Sequence, residues 1–486
     1  MLATALAAVA VAISPCQTTL DPGANIAAAI SAANAGDTIC LSSGSYGRVS
    51  TIAAKDSVTV RPVDGEKASV AGAILTRASG ITFKGLDITS EGVMIRGSSD
   101  IKLVGNHIHD IRRASSCPTA PNVGNGYAVW LVGYNSSRSQ RITIAGNTIE
   151  RVTHDAIQIG STDDLLIEGN EITDVRSQGC GDHSDAIQWI EGRGVTIRGN
   201  HVHHNVHGFM VNGHGTTVRA AGRFENNLVH DISGGIAFNL YNVDGLAVVS
   251  NTVWATGTTA VRLRDTDTNP TVMRATVRNN IFEEYDSQCD STGCVTAQDH
   301  NLFASSSDRV ASDLAASNPR FAPDYELSSD SAAIDAGATT DAPTLDRRGR
   351  PRVGPPDLGA HEFQGGSGSD PSAPPDEDRD GVDDSSDVCD ATPGPAPTGC
   401  PLPVASFTIS PNPSLAGQEV VFDGSASACH PGPCRYAWRE TPSWPFGTGQ
   451  PVERFTFRSV KEHPIELTVT DGLNRSASRS HVLTVR

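Results

Sequence analysis

At 486 residues the chain exceeds one ordinary domain, and its formal charge of −18 disfavours a nucleic-acid backbone or anionic membrane as main partner while favouring metal cations. An aromatic content of 5% with only 4 methionines excludes a large conventional core, whereas 47 glycines and 28 prolines suit many turns and short strands. Solenoids escape the usual size limit because each repeat contacts only its neighbours.

Residues 1–16 open with an apolar, small-residue run, MLATALAAVAVAIS, similar to the hydrophobic region of a secretory signal. No later segment carries the roughly 18 apolar residues needed to span a membrane. The ten cysteines fall in sequence-local couples: Cys16 with Cys40, Cys117 with Cys180, Cys289 with Cys294, Cys389 with Cys400, and Cys429 with Cys434. An even count without metal-ligand spacing reads as disulfides in an oxidising compartment. A secreted or cell-surface protein is therefore expected.

The strongest signal is an internal repeat: IKLVGNHI, ITIAGNTI, LLIEGNEI, VTIRGNHV, RFENNLV, LAVVSNTV and ATVRNNIF. The asparagines are Asn106, Asn147, Asn170, Asn200, Asn227, Asn251 and Asn280, with Asn301 as the last member, and most lie 21 to 30 residues apart. Alternating apolar residues give strands, and a coil of about 25 residues returns the chain one rung higher, about 4.8 Å along the axis. Asparagine tolerates the left-handed turn, and its amide can bond its equivalents above and below. The repeat predicts a right-handed parallel β-helix with a structural asparagine column.

A second strand recurs between these: GVMIR, AVWLV, AIQIG, AIQWI, GFMVN, GIAFN and AVRLR. With Val93, Val129, Ile157, Ile187, Phe209, Ile236 and Val261 inward, Met94, Trp130, Gln158, Gln188, Met210, Ala237 and Arg262 form one outer face. Residues 20–48 (LDPGANIAAAISAANAGDTICLSSGSYGR) and 318–363, with DRRGRPR and PDLGAHEF, resemble the first and last segments of pectin-lyase-like β-helix proteins. The resemblance covers about residues 17–364 and implies the fold strongly. It leaves the activity open, because this fold hosts lyases, hydrolases, epimerases and non-catalytic surface proteins.

Residues 365–375 read as a linker, and residues 376–390 carry eight carboxylates against one arginine. Their D-x-D-x-D-G spacing within 376–400 resembles a thrombospondin type 3 calcium repeat, which implies Asp376, Asp378, Asp380, Asp384 and Asp387 as Ca²⁺ ligands. The bland alternative is a solvated acidic linker. Residues 401–486 alternate as an all-β module that resembles a PKD-type immunoglobulin-like sandwich, with Trp438 on a central strand and Asp471-Gly472 at a late turn. Its W-x-F-G-D-G run is absent.

Chemistry-bearing residues gather on successive coils: Thr153-His154-Asp155-Ala-Ile-Gln158, then Asp182-His183-Ser184-Asp185-Ala-Ile-Gln188-Trp189. Asp155 and Asp185 occupy equivalent positions, placing their carboxylates about 5 to 7 Å apart if both face a groove. Paired carboxylates of this kind do acid and base work in glycoside hydrolysis. A uronate lyase instead needs a base and a cation. His183, His207 and Arg262 are candidates for these parts, with Asp155, Asp182 or Asp185 holding Ca²⁺. The catalytic candidates are thus Asp155, Asp185, His183, Asp182 and Arg262. Substrate-binding candidates are Trp130, Gln158, Gln188, His154, His207 and Arg264, with Trp189 a further possible sugar platform. Against this stand plainer roles: aspartates capping turn amides, glutamines stacking as a ladder, and tryptophans packing. The histidines at 201, 203, 204, 207 and 214 are a further candidate metal cluster. Two functions are carried forward for a monomeric chain with a polysaccharide partner. One is a polysaccharide-cleaving lyase or hydrolase. The other is a non-catalytic adhesion protein with the β-helix as a stalk.

Overall fold

The structure is a computed structural model that describes residues 15–112, 126–177, 184–211, 219–234, 236–254, 256, 260–265, 273–288, 294–316, 318–364, 388–389, 400–401, 403–441, 444–473 and 475–486. Two compact units divide near residue 365. The first is a parallel β-helix with three faces, in which each strand pairs in register with the equivalent strand one coil on. Sheet 1 holds the strands before each asparagine, such as Thr162–Glu168 and Gly192–Arg198, and sheet 2 those after it, such as Glu171–Val175 and His201–His203. Sheet 3 holds Val93–Arg96, Val129–Val132, Ile157–Ile159, Asp185–Trp189, His207–Val211, Phe238–Tyr241 and Val261–Arg264.

Alternation explains the core. Ile144, Ile167, Ile197 and Phe224 stack inward along sheet 1, Ile149, Ile172, Val202 and Val229 along sheet 2, and Ile157, Ile187, Phe209 and Phe238 along sheet 3, all buried. Burying such a side chain contributes roughly 1.5–3 kcal/mol each. The sheet 3 alignment expected from sequence slips by two residues at one coil. Phe238, not Ile236, pairs with Phe209, and Asn239, not Ala237, follows Met210 on the outer face. Stacking of the Phe209 and Phe238 rings, 4.7 Å apart, fixes that register.

The asparagine column forms as expected. Each Oδ1 accepts the backbone and side-chain N–H of the preceding member, from Asn106 onto Asn147 at 2.9 and 2.9 Å through to Asn280 onto Asn301 at 3.0 and 2.9 Å. The left-handed residue, however, is the one before each asparagine: Gly105, Gly146, Gly169, Gly199, Asn226, Ser250, Asn279 and His300 all have positive φ. The glycines serve the early coils. Where residues 318–364 fold back along this turn, Asn226 and Asn279 replace them and hold the returning chain: Asn226 Nδ2 donates to Leu345 O at 2.6 Å and Asn279 Nδ2 to Ala338 O at 2.8 Å.

A helix, Ile26–Ala32, closes the first end, N-capped by Asn25 Oδ1 and burying Ile26 and Ile30. In the returning segment Arg352 and Glu362 form a buried ion pair at 3.0 Å, and Arg352 also donates to Asn226 Oδ1 at 2.8 Å. Disulfides join Cys16 to Cys40, Cys389 to Cys400 and Cys429 to Cys434. Cys117, Cys180 and Cys289 lie outside the described residues. No helix among the described residues is long and apolar enough to cross a membrane.

The second unit contains a three-stranded antiparallel sheet (Thr408–Ser410, Glu419–Asp423, Val452–Thr456) and a four-stranded one (Trp444–Phe446, Arg435–Glu440, Glu462–Thr470, Ser476–Thr484). Its core gathers Phe407, Phe422, Trp438, Phe446, Phe457 and Leu467. Trp438 sits on an inner strand and donates from Nε1 to Gln450 O at 3.0 Å. Asp471 is buried at its turn, accepting from Leu473 N and Arg475 N at 2.9 Å each.

Candidate functional site on the outer face of sheet 3

The period-2 pattern that sends Ile157 and Ile187 inward turns their neighbours outward, one coil above another. Trp130, Gln158, Gln188, Met210, Asn239, Arg262 and Asp286 therefore form one continuous column. Trp130 stacks on Tyr127, centroids 4.9 Å apart at 19°, and Tyr127 covers His154 at 4.0 Å. Tyr127 was missed at the sequence level; its place two residues before inward Val129 was the available signal. Trp189 is fully buried against Phe224, so it is a core residue and not a sugar platform.

Next along the face, Gln158 Nε2 donates to Gln188 Oε1 at 2.6 Å and to Asp155 Oδ2 at 3.0 Å. Asp155 Oδ1 accepts the Asp185 backbone N–H at 3.0 Å, while the Asp155 N–H donates to His154 Nδ1 at 2.8 Å. The two aspartates thus sit on adjacent coils, both at 0% exposure. Burial first, and then the Asp185 charge, push the Asp155 carboxyl above its ordinary value. His207 lies one coil on, its Nδ1 3.1 Å from Asp185 Oδ1 and its Nε2 donating to Gly234 O at 3.1 Å. The Nε2 contact ties the ring to the next coil, and Nδ1 stands against the Asp185 carboxylate.

Further along, Arg262 lies 3.5 Å from Asp286, and Arg264 donates to Tyr241 Oη at 2.8 Å while its guanidinium covers the Tyr241 ring. The structure gathers Trp130, His154, Gln158, Gln188 and His207 along this stretch of sheet 3 with Asp155 and Asp185 buried beside them, and sets Arg262 and Arg264 three coils beyond Asp185. Asp182, His183 and the five acidic residues Asp376, Asp378, Asp380, Asp384 and Asp387 lie outside the described residues.

Sheet 2 carries two further clusters on its outer face. Asp87, His107 and His109 form one, and Glu171, His201 and His203 the other. In the first, Arg151 lies 3.0 Å from both His109 Nδ1 and Asp110 Oδ2. In the second, burial pushes the His201 imidazole down to about 3 and lowers that of His230.

Residues 51–221 and 178–308 match the right-handed β-helix region family. The chain belongs to that family. No curated protein matches it. Among solved structures, this β-helix chain resembles the pectate lyase Pel9A at 13% identity, with a TM-score of 0.51, over 72% of this chain and 97% of that one. It also matches the pectate lyase Bsp165PelA of Bacillus sp. N165 in complex with trigalacturonate, at 13% identity and a TM-score of 0.28, over 65% and 89% of the two chains. A structure of carbohydrate-binding modules of the β-sandwich superfamily matches at 26% identity and a TM-score of 0.17, over 17% of this chain and 34% of that one, so this chain spans about a third of its length. At these identities the shared feature with Pel9A is the β-helix fold.

Proposed function

We propose that this β-helix is an extracellular polysaccharide-binding protein whose glycan lies along the outer face of sheet 3. The observation that carries this reading is the Tyr127–Trp130 stack standing beside the Gln158–Gln188 amide pair on consecutive coils. Aromatic faces suit the apolar faces of pyranose rings, amides suit their hydroxyls, and a coil spacing of about 4.8 Å approaches the length of one sugar unit. Arg262 and Arg264 at the far end favour a glycan carrying carboxylates, as uronate polymers do. The likeness to the fold of a pectate lyase is consistent with this partner. The signal-like first segment and the disulfides support an extracellular location.

Under the same proposal the acidic stretch from Asp376 to Asp387 binds Ca²⁺, and residues 401–486 form a PKD-like accessory module. The two antiparallel sheets with Trp438 inside agree with the latter.

A second reading, cleavage, rests on Asp155, whose raised carboxyl beside Asp185 has the character of a general acid. Both carboxylates are covered, so cleavage requires the sugar to displace what covers them. Affinity electrophoresis against uronate and neutral polysaccharides tests binding; retention by none would overturn the first reading, and retention by neutral glycans alone would remove the preference for carboxylates assigned to Arg262 and Arg264. Assays for unsaturated ends and for reducing ends on the bound glycan, with Asp155→Asn and Asp185→Asn as controls, decide whether the bound chain is cut by elimination, by hydrolysis or not at all.

A further inference from the structure

We infer that the outer face of sheet 2 carries a binding site for a borderline divalent transition cation, Zn²⁺ foremost, built from Glu171, His201 and His203 with His230 as fourth donor. These residues come from three successive coils. Glu171 pairs in register with His201, and His203 with His230. One donor atom from each of Glu171, His201 and His203 lies within 4.8 Å of the others. His203 Nε2 is 3.2 Å from Glu171 Oε1, and the Nε2 atoms of His201 and His230 are 2.8 Å apart. Tetrahedral Zn²⁺ holds its nitrogen ligands about 3.4 Å from one another, so Glu171, His201 and His203 close on an ion by side-chain rotation, and His230 swings in from its contact with His201 to complete the set.

The surroundings match a metal site in a second way. His230 Nδ1 lies 2.7 Å from Asp231 Oδ2, the carboxylate partner that orients a ligating imidazole and directs its other nitrogen at the ion. Binding costs the His201–His230 hydrogen bond and places the His201 proton on Nδ1. Of the two arginines whose charge bears on His201, Arg347 and Arg348, the second is itself held by Glu326 at 2.8 Å and Asp324 at 3.4 Å. The cluster at Asp87, His107 and His109 has a like contact, His109 Nδ1 to Asp110 Oδ2 at 2.7 Å, but there the Arg151 guanidinium already stands against both groups and opposes a cation. An imidazole-rich set with one carboxylate suits Zn²⁺, Ni²⁺ or Cu²⁺ and not Ca²⁺.

The test is Zn²⁺ titration of the full chain by calorimetry in excess Ca²⁺, which occupies any hard-oxygen site. X-ray absorption of the loaded protein gives the ligand shell. One Zn²⁺ per chain is expected, with nitrogen ligands at about 2.0–2.1 Å. His201→Asn with His203→Asn should weaken binding at least tenfold, while Asp87→Asn with His109→Asn should leave it unchanged. Should the histidine variant misfold, the half-exposed Glu171→Gln serves instead and should also weaken Zn²⁺. Absence of Zn²⁺ binding, or binding unaltered by these sheet 2 substitutions, overturns the assignment.

Discussion

Asp313 ends the asparagine column by accepting both the backbone N–H and the side-chain amide of Asn301 at Oδ1, at 2.9 and 3.0 Å. Its Oδ2 accepts from Val310 N at 3.0 Å and Gln298 Nε2 at 2.8 Å. Four donors converge on this side chain, so a carboxylate fits where a ninth amide would turn its own N–H₂ against two of them. Asp313→Ala is expected to lower unfolding stability by about 1–3 kcal/mol, the cost of buried donors left without acceptors. Asp313→Asn should also destabilise, by less. Chemical denaturation measures both.

The two tryptophans of sheet 3, two coils apart, should separate in their effects. Trp130→Ala should weaken glycan retention several-fold and leave the melting temperature near that of the parent. Trp189→Ala, which empties a fully buried site, should cost about 3–5 kcal/mol. Equal loss of stability in both variants would remove Trp130 from the proposed surface.

Arg138 joins two later coils, bonding Asp163 at 2.6 and 3.0 Å and also contacting Glu191. The Arg138 hydrogen bonds hold the Asp163 carboxyl below its ordinary value, against the opposing effect of partial burial. A depressed folded-state value means that the stabilisation is present above the unfolded carboxylate range and disappears as pH falls through the folded value. Arg138→Met should therefore lower stability by about 0.2–1 kcal/mol at neutral pH. The difference from the parent should vanish in strong acid, which melting curves across pH 2 to 7 (a range of about five units) would show.

Chelating Ca²⁺ should leave the β-helix melting transition in place and change the protease susceptibility of residues 376–390. Asp380→Asn and Asp387→Asn should each weaken Ca²⁺ binding measured by calorimetry. Unchanged binding in both would return this stretch to a solvated acidic linker.

Local periodicity was enough to read the solenoid. The strand–asparagine repeat places one polar group per coil at one corner, and period-2 alternation assigns inward and outward faces, because both depend on neighbouring residues alone. Phe238 taking the place expected for Ile236 shows where such reading fails. Two alignments of GGIAFN satisfy the same alternation, and ring stacking on Phe209 chooses between them.

Tertiary structure alone decided the rest. The sequence determined that Asp155 and Asp185 stand one coil apart, yet whether they meet solvent depends on what covers them, and they are buried. It supplied Trp130 and Trp189 as candidate aromatics, but Trp189 aligns with Leu131 and not with Trp130, one register position along and two coils on, and that offset of one sends Trp130 out and Trp189 in. The meeting of Glu171, His201, His203 and His230, like the capping of Asn301 by Asp313, follows from stacking: residues tens of positions apart become neighbours only when the coils register, a relation set by the whole solenoid and written in no single repeat.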